Sequence, residues 1–240
     1  MKLVLEHITK SFDEKKVLRG ASYTFEKGKI YGLLGRNGAG KTTLFNCIDE
    51  EFPMDLGKKY IVDEDGQNQE TNQVGFVYAN PVLPEFLTGY EYIKFFIDIN
   101  YDKIKDRKTV EEYLQLVRLE EEDWHRLMKD YSHGMKNKMQ LLCVFITKPL
   151  VLLLDEPLTS FDVVVSHEMK ELLKQMKKDH IIIFSTHILQ LATDICDEIV
   201  ILHQGTLSGL KEEEIRQSDF EDRIFRMLED NQTITEEGDK

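Results

Sequence analysis

Residues 35 to 42 carry the pattern in this chain best suited to chemistry. They read Gly35-Arg36-Asn37-Gly38-Ala39-Gly40-Lys41-Thr42 and fit the spacing G-x-x-x-x-G-K-[ST]. The glycines let successive backbone N–H groups converge on an anion, while Lys41 adds a mobile positive charge and Thr42 a hydroxyl that suits Mg²⁺. A glycine-rich turn with a chance lysine is the plain alternative. We expect phosphate binding, because an apolar strand-like run precedes the pattern and a helix-compatible run follows it.

A second pattern supplies the carboxylates that a phosphate site with a metal ion needs. Residues 151 to 154 are four consecutive apolar residues, typical of a strand covered on both faces, and Asp155 and Glu156 follow directly. Ligands in open α/β sheets bind at the carboxyl ends of strands. We therefore predict that Asp155 is a ligand of Mg²⁺ and that Glu156 polarises an attacking water. Taken alone, an Asp-Glu pair after a strand would indicate a solvated turn.

The elements that must position these residues are short strands and long helices. Alternating runs at 2–8 and 17–25 predict an antiparallel layer. Buried strands are predicted at 74–78, 150–154, 180–185 and 198–202, and the helical patterns that separate the last three favour a mostly parallel sheet. We expect an α/β fold.

Two further regions differ from this strand and helix alternation. Residues 84–147 give only helical periodicity, beginning with the capping box Thr88-Gly89-Tyr90-Glu91, which predicts an inserted helical lobe. After a predicted turn at 203–206, residues 211–240 hold 5 basic and 11 acidic residues. They are predicted to form a short helix at about 220–228 and then to be disordered.

Composition excludes several classes of function. The chain has 240 residues, a net charge of −13 and no apolar run near the 18 residues or so that a membrane span needs. The acidic balance argues against nucleic acid as a partner. Three widely spaced cysteines, Cys47, Cys143 and Cys196, indicate a reducing compartment rather than a metal or redox site. With no secretory pattern at its start, the protein is expected in the cytoplasm.

Taken together, residues 1 to about 210 resemble the nucleotide-binding domain of ATP-binding cassette (ABC) ATPases. Beside the phosphate loop and Asp155-Glu156, residues 157–162 look like the loop that crosses the dimer interface in that family. Ser185-Thr186-His187 matches the family's switch histidine, and Phe12 stands where an aromatic ring stacks on adenine. For Phe12, ordinary core packing is an equal alternative.

The resemblance implies a P-loop NTPase fold: a mostly parallel sheet, an N-terminal antiparallel β layer and the inserted helical lobe at 84–147, within a domain of residues 1–210. It implies ATP and Mg²⁺ as cofactors, with Glu156, His187 and Lys41 as catalytic residues and Thr42, Asp155 and Asn80 at the metal. The residues predicted to bind nucleotide are Phe12, Gly35, Asn37, Gly38, Gly40, Lys41, Thr42, Thr43, Ser132 and Gly134.

Two positions depart from the pattern of the family. Residues 131–135, Tyr-Ser-His-Gly-Met, stand in place of the Leu-Ser-Gly-Gly-Gln signature. Ser132 is predicted to cap a helix whose free N–H groups face the γ-phosphate held by a second subunit, and a helix cap alone is the other interpretation. Asn80 replaces a glutamine and is one methylene shorter. Metal coordination would then need a bridging water or a larger movement of the loop, and either would slow turnover.

The predicted function is the ATPase subunit of an ABC transporter. It would dimerise, with itself or a related subunit, around two ATP molecules and drive a membrane permease, its only contact with the membrane. The signature resembles exporters of drugs or antimicrobial peptides. Eight of the 23 aromatic residues lie within 76–101, and part of them would receive a helix of the permease.

Three alternatives stay open from the sequence. One is a catalytically weak partner in a heterodimer, which Asn80 and the altered signature suggest. Another is a soluble non-transport ABC ATPase, although repair relatives need a long coiled coil and translation relatives carry two such domains. The third is a small-molecule kinase or a GTPase. Residues 137–140 argue against a GTPase, because they lack the aspartate that recognises guanine.

Overall fold

Two β-sheets organise the protein, in a computed structural model that describes residues 1–69, 73–104, 106–157, 163–215, 217 and 220–229. The first has four strands in the order β2-β1-β4-β5, and the second has six in the order β10-β9-β3-β8-β7-β6. The strands are β1 Lys2–Phe12, β2 Lys15–Glu26, β3 Ile30–Leu34, β4 Leu56–Val62, β5 Asn68–Gln69, β6 Val74–Val77, β7 Val151–Asp155, β8 Ile181–Thr186, β9 Glu198–His203 and β10 Thr206–Lys211.

The six-stranded sheet confirms the predicted parallel core. Strand β3 pairs in parallel with β8 and β9, β7 pairs in parallel with β8 and β6, and only β10 runs antiparallel to its neighbour β9. Every residue of β3, β7 and β8 is buried, as expected for strands covered on both faces. The register sets Leu34 opposite Thr186 and Asp155 opposite Ser185. The carboxyl ends of these three strands therefore meet at one edge of the sheet.

The four-stranded sheet confirms the antiparallel layer and extends it. Strands β1 and β2 are longer than predicted and pair along their whole length. Strands β4 and β5 were not predicted. In β4 only Ile61 is fully buried, and the lysines at 58 and 59 interrupt the apolar alternation, so the sequence signal for a half-buried strand is weak.

Between β6 and β7 the described residues form helices and a single isolated bridge, Thr88 to Leu127. The predicted capping box is present, with Glu91 N–H donating to the Thr88 hydroxyl. The predicted limits of the helical lobe, 84–147, and of the domain, 1–210, stay predictions. Over all the described residues, the α-helices are α1 Lys41–Ile48, α2 Gly89–Ile99, α3 Val110–Leu116, α4 His133–Thr147, α5 Val163–Met176, α6 Leu189–Ile195, α7 Glu212–Ile215 and α8 Phe220–Glu229.

The last described elements also follow the predicted pattern. Strands β9 and β10 form the hairpin around Gln204 and Gly205. Helix α8 buries Phe220 and Ile224 in a cluster with Ile199 and Ile201 of β9, so it packs on the six-stranded sheet. Residues 230–240, for which the sequence predicts disorder, lie outside the described residues. Within the described part of the chain, no helix has the length and apolar character needed to cross a bilayer.

Candidate active site

The phosphate loop joins β3 to α1 at the common edge of the parallel strands. Gly38 and Gly40 have φ values of +79° and +106°, which L side chains rarely adopt. A Cβ on Gly40 would also lie 2.7 Å from Cγ1 of Val17. Glycine at position 40 is therefore required both by the backbone conformation and by the close approach of β2. The loop ends where α1 begins at Lys41, so the N-terminus of α1 faces the same space.

Lys41 is buried beneath this loop. Its side chain is 7% exposed, and Nζ donates to the carbonyl oxygens of Gly35 at 2.8 Å and Arg36 at 3.4 Å. Burial lowers the pKa of Lys41, although the Glu156 and Asp155 carboxylates oppose that shift. Its hydrogen-bond partners in the structure are neutral carbonyls, so an anionic ligand would satisfy the buried charge better than these oxygens do.

Three side chains from different elements form a hydrogen-bonded chain beside Lys41. The Thr42 hydroxyl donates to Oδ2 of Asp155 at 2.8 Å. The Ser185 hydroxyl donates to Oδ1 of Asp155 and accepts the Glu156 N–H at 3.0 Å. Asp155 and Ser185 are almost fully buried. These hydrogen bonds orient both oxygens of Asp155. They give Ser185 a positioning role that the sequence reasoning did not assign.

Glu156 leaves the strand in a left-handed turn. Its φ is +48°, an unfavourable value for a residue with a long side chain, and it directs Glu156 away from the path of Asp155. Nδ1 of His187 lies 3.0 Å from Oε1 of Glu156. The structure thus brings together two of the residues predicted to be catalytic, from the ends of β7 and β8.

Lys41, Thr42, Asp155 and Glu156 open onto a cleft of about 360 Å³, whose lining does not include Ser185 or His187. Eight of the eleven residues that line this cleft were predicted from the sequence. The lining residues are Lys15, Val17, Asn37, Gly38, Gly40, Lys41, Thr42, Thr43, Ala79, Asp155 and Glu156.

Three of the lining residues were not predicted from the sequence. The three that the sequence reasoning missed are Lys15, Val17 and Ala79. Lys15 and Val17 come from β2, in the other sheet, and Ala79 follows β6. No sequence motif marks these positions, because only the packing of the two sheets brings them to the phosphate loop.

The cleft fits Mg²⁺ bound together with a triphosphate. The Thr42 hydroxyl and the Asp155 carboxylate present adjacent oxygens, the ligand type that Mg²⁺ prefers. Among the described residues there is no cluster of three or more His, Cys, Asp or Glu side chains that could hold a metal ion. A magnesium ion here would therefore take its other ligands from phosphate oxygens and water, as is usual for this ion.

The structure does not bring every predicted residue to the cleft. Phe12 lies at the end of β1, is 40% exposed and packs edge-on against Phe52, with the ring centroids 5.6 Å apart. Lys10 Nζ lies 5.4 Å from the centroid of the Phe12 ring. Phe12 does not line the cleft, and its contact with adenine stays a prediction.

Ser132 and Gly134 lie at the start of α4. The Ser132 hydroxyl accepts the Met135 N–H at 3.2 Å, which confirms the predicted helix cap. Ser132 and His133 are exposed, and neither Ser132 nor Gly134 lines the cleft of its own chain. Their contact with a phosphate held by a second subunit stays a prediction. Of the predicted interface loop at 157–162, residues 158–162 lie outside the described residues.

Asn80 is exposed and does not line the cleft, whereas its neighbour Ala79 does. The role of Asn80 at the metal therefore stays a prediction. The loop that carries it begins at Tyr78, whose backbone is hydrogen-bonded by the buried side chain of Gln140. Gln140 is a second residue that sequence reasoning missed. A glutamine among apolar neighbours in a helix was the available signal, since a buried amide needs partners.

The fold and the site together define a P-loop ATPase class: a glycine loop before a helix, a buried lysine, and an Asp-Glu pair at the end of the neighbouring buried strand. Comparison with known proteins gives the family. The family model for the ABC transporter matches residues 18–159, more than half of the chain. The chain therefore belongs to the ABC transporter family and contains its ATP-binding ATPase domain.

Individual relatives agree with this assignment. The chain is 32% identical over 207 residues to the bacitracin transport ATP-binding protein BcrA of Enterococcus faecalis, covering 84% of this chain and 66% of that protein. It is 31% identical over 227 residues to the ABC-type transporter ATP-binding protein EcsA of Bacillus subtilis, covering 88% and 90%. A solved structure of the ATP-binding subunit of an ABC transporter matches with a TM-score of 0.76 and 26% identity, over 95% of each chain. The chain spans 58 to 69% of the length of the first three curated relatives.

Proposed function

We propose that this chain is the ATPase subunit of an ABC exporter for drugs or antimicrobial peptides. In this proposal it closes as a dimer around two ATP molecules at the inner face of the cell membrane and drives a permease. The observation that carries the proposal is that Lys41, Thr42, Asp155 and Glu156 line one cleft, with the Thr42 hydroxyl bonded to Asp155 and His187 3.0 Å from Glu156. The similarity to BcrA, which is named for bacitracin transport, supports a peptide antibiotic as cargo.

Each residue of the cleft has a distinct task in hydrolysis. Lys41 and the N–H groups at the start of α1 bind the phosphates and stabilise the negative charge of the transition state. Thr42 and Asp155 would hold Mg²⁺, which when bound neutralises charge on the phosphate oxygens. Glu156 orients and polarises the attacking water, and His187, 3.0 Å from Glu156, orients the Glu156 carboxylate and the γ-phosphate.

A second copy would complete the site. The cleft is open on one side, and Ser132 at the start of α4 does not line the cleft of its own chain. In the proposed dimer, Ser132 and Gly134 of a second copy bind the γ-phosphate with the hydroxyl and the N–H groups of the helix start. ADP lacks that phosphate, so ATP binds the closed state more tightly and hydrolysis reopens the dimer.

An apolar surface on α2 and the preceding loop supports a permease as partner. Several large apolar side chains here are more than half exposed, which is unusual for a surface left in water. Tyr90, Tyr92 and Phe96 pack inward instead, so the aromatic-rich segment is divided between core and surface. The exposed residues are Val82, Phe86, Phe95, Ile99 and Tyr101.

The variant Glu156→Gln tests the catalytic part of the proposal. We expect hydrolysis to fall by about 100-fold or more, because the amide cannot accept a proton from water. The dimer should then accumulate in the presence of ATP and not in the presence of ADP. Light scattering after size-exclusion chromatography measures the dimer. Normal turnover in Glu156→Gln would remove Glu156 from its role, and absence of an ATP-dependent dimer would refute closure.

Co-purification from membranes tests the transport part. We expect the unaltered chain to purify with one integral membrane protein, and Phe86→Glu to lose it while keeping the ATPase activity of the isolated chain. Phe225→Glu is a matched control, because Phe225 is an exposed phenylalanine on α8, away from α2. Equal loss of the membrane protein in both variants would argue against the α2 surface as the docking site.

A further inference from the structure

A buried polar side chain connects α4 to the end of β6. Gln140 is 7% exposed. Its Nε2 donates to the carbonyl oxygen of Tyr78 at 3.1 Å, and its Oε1 accepts the Tyr78 N–H at 3.4 Å. Strand β6 lies at the edge of its sheet. The side-chain amide of Gln140 therefore supplies the hydrogen bonds that a neighbouring strand would otherwise give to the Tyr78 backbone.

A second contact, between Lys136 and Glu85, joins the same face of α4 to a later part of the loop that follows β6. Lys136 Nζ lies 2.8 Å from Oε1 of Glu85, and Lys136 and Gln140 are four residues apart, so they lie on one side of the helix. The two contacts differ in strength. The Glu85 side chain is 64% exposed and its ion pair is screened by water, whereas the Gln140 amide is buried.

This arrangement connects the two halves of the proposed site through one rigid element. Ala79, next to Tyr78, lines the cleft, and Asn80 follows it. Ser132 caps the helix that contains Gln140, about 12 Å away along the helix axis. The hydrogen bonds of Gln140 thus tie the start of the Asn80 loop to the helix that begins after Ser132.

We infer that Gln140 is a positioning residue that makes the Asn80 loop and the Ser132 end of α4 move as one unit when ATP binds. The inference rests on the proposed function, since it assigns Asn80 to the metal side and Ser132 to the second copy. Without the Gln140 amide, the Tyr78 N–H and C=O lose their partners, and the loop can leave α4 to reach water. Nucleotide binding by the phosphate loop is not affected directly, because Gln140 does not contact it.

Gln140→Met tests this role, since methionine has a similar length but forms no such hydrogen bonds. We expect kcat for ATP hydrolysis to fall about tenfold while KM for ATP changes less than about twofold. In the Glu156→Gln background, the ATP concentration for half-maximal dimerisation should rise about fivefold. The reason is that ATP binding would be coupled more weakly to the position of α4.

Two controls separate positioning from general loss of stability. Ile146→Val removes one buried methyl group from the same helix and should lower the Tm without changing kcat. Lys136→Met breaks only the exposed ion pair and should change kcat less than Gln140→Met does. If Gln140→Met does not fold, Gln140→Asn keeps the amide but is one methylene too short, and the same fall in kcat is expected.

The outcomes distinguish this inference from the proposed function. If a folded Gln140 variant keeps both kcat and ATP-dependent dimerisation, or loses no more than Ile146→Val, the inference is overturned. If Glu156→Gln alone fails to dimerise with ATP, the proposed dimer is refuted, and the kcat measurement by itself then decides the role of Gln140.

Discussion

The cleft at the strand ends and the start of α4 differ in the burial and hydrogen bonding of their polar side chains. At the cleft, Lys41, Asp155 and Ser185 are buried and hydrogen-bonded to groups from separate elements. At α4, Ser132 and His133 are exposed, and the Ser132 hydroxyl accepts the Met135 N–H of its own helix. Fixed buried dipoles suit chemistry, because they need no reorganisation during reaction. An exposed helix start suits recognition of a second molecule, so changes at the two regions should have different effects.

The largest effect is expected from Lys41→Ala at the cleft. The buried ammonium is lost, and ATP turnover should fall by about 100- to 1000-fold, with weaker ATP binding. ATP hydrolysis and equilibrium binding of a labelled ATP analogue measure this. Lys16→Ala is the control, since Lys16 is exposed and does not line the cleft. Unchanged binding and hydrolysis in Lys41→Ala would refute the site itself.

Phe12→Ala tests whether the cleft extends to an adenine platform. If the ring stacks on the base, KM for ATP should rise about tenfold with kcat nearly constant, the scale of a lost base–aromatic contact. Phe225→Ala provides an exposed phenylalanine elsewhere for comparison. A lower Tm with unchanged KM would instead assign Phe12 to packing against Phe52.

Ser132→Ala separates a helix cap from a phosphate contact in a second copy. Losing the cap should lower the free energy of unfolding by about 1 kcal/mol. We also expect kcat to fall about fivefold and ATP-dependent dimerisation to weaken, as for a lost hydrogen bond to a charged group. Thr109→Ala is matched, because Thr109 caps α3 in the same way. Equal kcat in the two variants would leave Ser132 as a cap alone.

The smallest effect concerns Asp49, at the end of α1 opposite the phosphate loop. Burial raises the pKa of Asp49 to about 6, although Lys59 opposes the shift. Since the unfolded chain has a pKa of about 3.9, the native state binds the proton more tightly, and stability falls as pH rises from about 4 to 6. Asp49→Asn should therefore raise the free energy of unfolding by about 1 kcal/mol at pH 7.5 and not at pH 4.

Urea unfolding at both pH values measures this difference. Glu120→Gln is the control for the change in net charge, because Glu120 is exposed. A gain of equal size at both pH values would contradict the assignment to the Asp49 carboxylate.

Short sequence patterns are enough to predict the local parts of the site. The glycines of the phosphate loop, the buried run before Asp155 and the caps at Thr88 and Ser132 are set by backbone conformation and by hydrogen bonds over a few residues, so their spacing predicts them. The parallel core followed from buried runs separated by helical patterns.

Contacts between distant residues depend instead on how the strands and helices pack together. Ser185 lies opposite Asp155 because of the register between β7 and β8, and Gln140 reaches Tyr78 because α4 crosses the edge of the sheet. Lys15 and Ala79 reach the cleft from two different sheets. These contacts join residues more than 20 positions apart, and their geometry depends on the packing of whole elements, which no short pattern encodes.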